Sequence, residues 1–186
     1  FIVELAFEGD VRLVPGLLSI ALTARNEGYN LVGPVAPNHL VNMEDIEMFT
    51  LGSLADLKYK KFDMAETLVS SQSYSGKDFK DISGHKIAKR AMQIAAAGNH
   101  GLLMMGPPGS GKTMLAERMP SILPDLSEEE MLEAAVVHSV AGEPLNDILA
   151  GRRPFRKPHH SASLPGLVGG NTPIRPGEIS LAHRGV

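Results

Sequence analysis

The sequence predicts an α/β protein in two parts, and three observations carry that prediction. Apolar residues recur at helical spacing in three separate stretches, with short apolar runs of strand length between them. A polar, serine-rich interval near the middle of the chain separates an N-terminal block from a C-terminal one. In the second block a glycine-rich loop stands between a four-residue apolar run and a further helical start.

The N-terminal block is read over residues 1–61. Phe1 to Phe7 alternates well enough for a half-buried strand, and Gly9-Asp10 before Val11-Arg12-Leu13-Val14 signals a two-residue hairpin loop. Leu17, Ile20, Ala21 and Ala24 fall at i, i+3, i+4 and i+7, the stripe of a half-buried helix, with Gly28 placed to end it. Leu31-Val32 opens a further strand, stopped by Pro34 and Pro37. Ile46 to Leu51 reads as another strand, and Ser53 caps a helix expected to reach about Lys61. From 62 to 80 the pattern dissolves around Ser70-Ser71-Gln72-Ser73-Tyr74-Ser75-Gly76, which is expected to be a linker.

The second block is read over residues 81–186. Ile87, Ala91, Ile94 and Ala95 make a helical stripe that Gly98-Asn99 closes. Leu102-Leu103-Met104-Met105 is then an unbroken apolar run, the pattern of a parallel strand buried on both faces. Gly106-Pro107-Pro108-Gly109-Ser110-Gly111-Lys112-Thr113 follows and fits G-x-x-x-x-G-K-[ST] at every specified position. Such a loop holds a nucleoside triphosphate largely by inward-pointing backbone N–H groups. Gly109 and Gly111 permit the tight turn and keep side chains out of the way. Lys112 supplies a mobile charge for the β- and γ-phosphates, and the Thr113 hydroxyl suits Mg²⁺, a hard, oxygen-seeking cation. Met114, next in the expected helix, is counted with this site. Ser127 and Glu130 form a capping box ahead of Met131, Leu132, Ala135 and Val136, a helix expected to run to about Val140. Glu178 to His183 reads as a strand.

Composition bounds the rest. The 186 residues carry a net charge of −3 and are 43% hydrophobic, which suits a globular protein and announces no bulk nucleic-acid binder. There is no cysteine, so disulfides and thiolate metal sites are excluded, in keeping with a cytoplasmic location. No apolar stretch reaches membrane-spanning length. The chain starts at Phe1 and is expected to be a piece of a longer protein.

Four motifs together carry a resemblance: Asp81-Ile82-Ser83-Gly84, the phosphate loop, the run Arg153-Pro154-Phe155-Arg156-Lys157-Pro158-His159-His160-Ser161-Ala162-Ser163, and the run Pro176-Gly177-Glu178-Ile179-Ser180-Leu181-Ala182-His183. In order and spacing they resemble the magnesium-chelatase-like AAA+ ATPases of the ComM/YifB type. The N-terminal block is similar to the second half of the ribosomal-S5-like, Lon-protease-like domain of that family. The resemblance implies a truncated P-loop AAA+ domain of the helix-2-insert clade, with the insert at about 165–186 and Ile82 and Gly84 near the adenine. It also implies ATP and Mg²⁺ as ligands, homo-oligomerisation into a ring, expected to be a hexamer, and action on DNA as a branch-migration-type helicase. The family's next elements, an apolar strand ending in Asp-Glu and the sensor and arginine-finger residues, are not among these residues. The chain alone is therefore expected not to hydrolyse ATP.

Other candidates stand beside these. Arg152, Arg153, Arg156 and Lys157, with His159 and His160, form a basic run that suits phosphate contact, either on DNA or at a subunit interface. The bland alternative is a solvated loop, or a loop packed against acidic residues of the part of the protein outside this chain. Adjacent histidines on an extended chain point apart, which argues against a metal site there. A Ser-Lys peptidase is disfavoured because the segment matching the family's lysine region reads Gly16-Leu17-Leu18-Ser19-Ile20, and a serine without a base is a weak nucleophile. Two further functions stay open: the motor subunit of a metal chelatase acting on a protein partner, and a nucleotide-sensing module that does not hydrolyse.

Overall fold

A short hairpin, a helix and a small sheet build the N-terminal block. In this computed structural model residues 1–34, 46–59, 61–65, 76–170 and 174–186 are described. β1 (Glu4–Leu5) pairs antiparallel with β2 (Val11–Arg12), Glu4 opposite Arg12. The turn runs over Ala6 to Gly9, not Gly9-Asp10: Gly9 takes φ +88 and donates to the Ala6 carbonyl at 2.9 Å. A left-handed residue closing a longer turn suits the strand twist, and glycine bears it without strain.

α1 (Leu17–Asn26) forms where the stripe predicts it and buries Leu17, Leu18 and Ala21. Gly28 at φ +72 ends it, with Gly28 and Tyr29 N–H groups returning to the Arg25 and Ala24 carbonyls at 3.1 and 2.8 Å. β3 (Leu31–Gly33) lies parallel to β4 (Met48–Thr50), and β4 pairs antiparallel with β5 (Asp63–Met64). α2 (Leu54–Lys58) starts at Ser53 as expected but stops short of Lys61. β5 falls within the interval read as linker and a 3₁₀ turn over Phe79–Asp81 straddles its end, while 66–75, most of its serine-rich core, and Pro37 lie outside the described residues.

In the second block α3 (Lys86–Gly98) ends at Asn99 in the left-handed region, φ +50. Its buried face is Met92, Ala95 and Ala96, whereas Ile87 is 88% and Ile94 52% exposed. The expected stripe is thus corrected by about one position around the helix. Met92, Ala95 and Ala96 share the same i, i+3, i+4 spacing, and this is the face that meets Ile82, Leu115 and Met119 in a common cluster.

Leu102 to Met105 forms no strand, and Leu103 and Met105 are 83% and 86% exposed. This corrects the buried-strand expectation. A strand exists only through ladder partners, and among the described residues no segment pairs with this one. α4 (Lys112–Ala116) follows the loop, then a 3₁₀ turn at Met119–Ile122.

α5 (Glu128–Ala141) is opened by the expected box, with Glu130 N–H donating to Ser127 Oγ at 3.3 Å and Ser127 N–H to Glu130 Oε2 at 3.2 Å. α6 (Asn146–Leu149) packs beside it. α7 (Leu164–Val168), a two-stranded ribbon of β6 (Gly169–Gly170) and β7 (Arg175–Pro176), and α8 (Glu178–Leu181) complete the chain, with 171–173 outside the described residues. α8 corrects the strand read from Glu178 to His183. Glu178 sits in its first turn, where a carboxylate is favoured, and Leu181 is buried while Ile179 is 65% exposed.

One hydrophobic cluster joins the two blocks. Leu17, Leu18, Ala21, Leu31 and Met48 from the first pack with Leu126, Ala134, Ala135, Leu145 and Ile148 from the second. α1 lacks a side-chain cap of its own. Its free N–H groups are met from α5: Gly16 donates to the Ser139 carbonyl at 2.8 Å and Leu18 to Ser139 Oγ at 3.3 Å. Among the described residues no helix is long and apolar enough to cross a membrane.

Candidate nucleotide-binding site

The loop 106–113 has the geometry its glycines predict. Gly109 and Gly111 adopt φ +79 and +81, conformations that L side chains rarely take. A Cβ at Gly106 would lie 3.0 Å from Ser110 Oγ, and one at Gly111 would lie 3.3 Å from His85 Nε2 and 3.4 Å from Met114 Cε. The loop is therefore a cradle that side chains at those positions would fill. Lys112 curls back over it, its Nζ donating to the Gly106 and Pro107 carbonyls at 2.8 Å each and to Ser110 Oγ at 3.2 Å. Three oxygens surrounding an ammonium form the kind of coordination that phosphate oxygens also offer. α4 spans only Lys112–Ala116, so an anion at this loop would meet its backbone N–H groups and Lys112 more than a long helix dipole.

A cleft of about 670 Å³ opens beside the loop between α3 and the 102–105 segment. His85, Lys86 and Lys112 line it together with Ala88, Leu102 and Met104. Thr113 stands at the second position of α4 and is exposed. Of the two residues expected near a base, Ile82 is 2% exposed inside the second core cluster, while Gly84 at φ +69 carries the chain into His85. His85 is the lining residue that the motifs do not point to; the Gly84-His85 step at the mouth of a helix is the one sequence signal for it.

The basic run lies elsewhere, and each of its four cations meets a carboxylate of this chain. Arg152 pairs with Asp147 at 2.5 Å. Arg153, 17% exposed, donates to Glu130 at 2.9 Å and to the Pro124 and Arg184 carbonyls at 2.7 and 2.8 Å. Arg156 grips Glu178 with two hydrogen bonds of 2.6 and 2.8 Å, which hold that carboxyl below its ordinary range and raise the guanidinium. Lys157 reaches Glu117 at 2.9 Å. Glu117 also accepts from Lys77 at 2.5 Å, and the two ammonium groups, Lys77 first, lower its pKa to about 2. Glu117 caps the C-terminus of α4, so the phosphate loop and the basic run are tied through one carboxylate. Among the described residues no group of three or more His, Asp or Glu side chains is arranged to hold a metal ion.

The candidate site is thus a glycine-turned loop with a lysine curled over it in a mixed α/β chain, and comparison with known proteins gives the family. The family model described as magnesium chelatase, subunit ChlI, matches residues 78–186. The chain belongs to the magnesium-chelatase family, in its ComM/YifB-type branch. It is 42% identical over 197 residues to competence protein ComM of Haemophilus influenzae, covering 100% of this chain and 39% of that protein. It is 40% identical over 198 residues to the uncharacterized protein YifB of Salmonella typhimurium, covering 98% and 37%. A YifB of Escherichia coli is 39% identical over 198 residues with the same coverage. The chain thus spans about two fifths of the length of these relatives.

Proposed function

We propose that these residues form the ATP-binding part of a ring-forming AAA+ ATPase that remodels or translocates DNA. The observation that carries the reading is the Lys112 ammonium, held over a glycine cradle by three oxygens. In it, backbone N–H groups of 106–113 and Lys112 bind the triphosphate, and the Thr113 hydroxyl takes Mg²⁺, which when bound neutralises charge on the phosphate oxygens. Gly84 and Ile82 border the adenine, residues 1–61 belong to an S5-like domain, and 165–186 is the helix-2 insert. The competence name of the Haemophilus influenzae relative supports a role in DNA uptake or recombination, in the cytoplasm, by a homo-hexamer.

Calorimetry tests the nucleotide site. Lys112→Ala removes the only side-chain cation of the loop and is expected to weaken ATP and ADP binding by about tenfold or more, the scale of a charge-assisted contact. Equal affinities would dismiss the assignment. DNA binding is tested in the protein of full family length by replacing Arg152, Arg153, Arg156 and Lys157 with Gln. The slope of log affinity against log salt should fall by roughly 0.9 for each phosphate that is no longer neutralised. The carboxylate pairing of all four side chains favours a second reading, in which they hold the fold and DNA lies elsewhere; an unchanged slope with lowered stability selects it.

A further inference from the structure

Two members of the basic run stand outside its carboxylate pairs. His159 and His160 are both exposed, and their rings stack with centroids 4.1 Å apart and planes tilted by 39°. Adjacent residues on an extended chain point apart. Here a turn, closed by the Ala162 N–H on the His159 carbonyl at 2.9 Å, brings the two rings together. Ser161 fixes the first ring, its backbone N–H donating to His159 Nδ1 at 3.3 Å with its hydroxyl 2.6 Å from the same nitrogen. A backbone N–H can only donate, so Nδ1 is the acceptor and the ring is held in one orientation. The His160 side chain has no hydrogen bond or ion pair among the described residues, and what it meets is the His159 ring.

The turn is closed by its backbone bond and by Ser161, so the His160 ring adds flat, exposed surface that the turn itself does not need. Imidazole is among the side chains on which unstacked bases of a single strand lie. Rings that are already ordered lose little further freedom when a base lands on them. Charge favours the same ligand. Lys157 precedes His159 by two residues, at most about 7 Å of chain, and its side chain is 59% exposed. It shares Glu117 with Lys77, so two positive charges face one negative and the group keeps an attraction for phosphate. In a duplex both faces of each base are covered by neighbours, and a stacking surface therefore selects strands whose bases are free.

We propose that the His159–His160 stack is a base-stacking platform for single-stranded DNA, set beside the cation of Lys157. This rests on the DNA reading of the whole protein. It assigns the contact with bases to the two residues of the run that the fold does not hold in ion pairs. Every base has a π face, so the platform is indifferent to sequence and is selective for unpaired strands.

Fluorescence anisotropy on the protein of full family length, at one salt concentration and one pH, compares the wild type with His160→Ala, His160→Phe and the double variant His159→Ala/His160→Ala. The probes are a labelled oligothymidylate, an abasic oligonucleotide of the same length, which keeps the phosphates and lacks the bases, and a duplex. Circular dichroism confirms that each variant is folded. Both alanine variants are expected to bind oligothymidylate about tenfold or more weakly, the scale of a lost stack, while His160→Phe stays within about threefold of the wild type. Affinities for the abasic strand and the duplex are expected to change by less than about threefold, since neither offers a free base. Alanine variants that bind oligothymidylate as the wild type does overturn the platform and leave the DNA reading standing. Equal losses on the abasic strand overturn stacking in favour of a phosphate contact, and a His160→Phe as weak as His160→Ala overturns it in favour of a role in the turn. A wild type that binds neither single strand nor duplex overturns the DNA reading and the platform with it.

Discussion

Leu18→Ala tests whether the two blocks are one folding unit. Leu18 is 3% exposed in α1, in the cluster that also holds Ala134 and Ala135 of α5, and those residues are fully buried. Trimming its isobutyl group to a methyl leaves a cavity against small neighbours that cannot swing in to fill it, so a cost of about 3 kcal/mol is expected within the usual span for such truncations. For a chain of 186 residues that corresponds to a melting temperature lower by about 6–12 °C. The sequence has no tryptophan, so the transition is followed by far-ultraviolet circular dichroism. Hydrogen exchange then locates the change. A shared core requires amides across Ala134 to His138 to lose protection together with those of α1, although the substitution lies in the other block. Faster exchange confined to α1, with α5 as protected as before, would refute a single core whatever the melting temperature does.

Two further outcomes follow from the same geometry. The 186-residue chain should release phosphate from ATP no faster than the buffer does, because phosphoryl transfer depends on positioned carboxylates and among the described residues none lines the cleft at the loop; Lys112-dependent release by the purified chain would contradict this. Glu117, whose pKa is lowered to about 2 from the ordinary 4.5, stabilises the fold above pH 4.5, and that stabilisation fades as pH falls toward 2. Glu117→Gln should therefore flatten acid unfolding between those values, read as the pH dependence of the melting temperature, and should free Lys77 and Lys157.

What is legible in the sequence is local. The phosphate loop is contiguous, so its glycines and Lys112 can be placed before any fold is known, and the Ser127–Glu130 box and the Gly28 stop need only neighbours within a few positions. Features that depend on distant partners are not legible. The 102–105 run has the composition of a strand, but strand formation is decided by segments that sequence spacing does not show. Glu178 to Leu181 alternates like a strand, yet Arg156, 22 positions earlier, pairs with Glu178, and His138 on α5 reaches the Leu181 carbonyl; together they fix it as a helix turn. The partners of the basic run lie 22 to 40 positions away for Arg153, Arg156 and Lys157, which is why six cationic or titratable residues in close succession read as a surface awaiting phosphate.

α5 gathers attachments along its whole length. Its first turns hold Arg153 and Arg184 through Glu130 and Glu133, the buried His138 donates to the Leu181 carbonyl of α8 at 2.9 Å, and Ser139 holds the start of α1. Fourteen residues make a rod about 21 Å long, stiff along its axis because every turn is bonded to the next. A load applied to α8 reaches such a rod through the histidine and leaves it one residue further on, at the foot of α1. Among the described residues, the N-terminal block and the outer ribbon are thus fastened to adjacent positions of one helix.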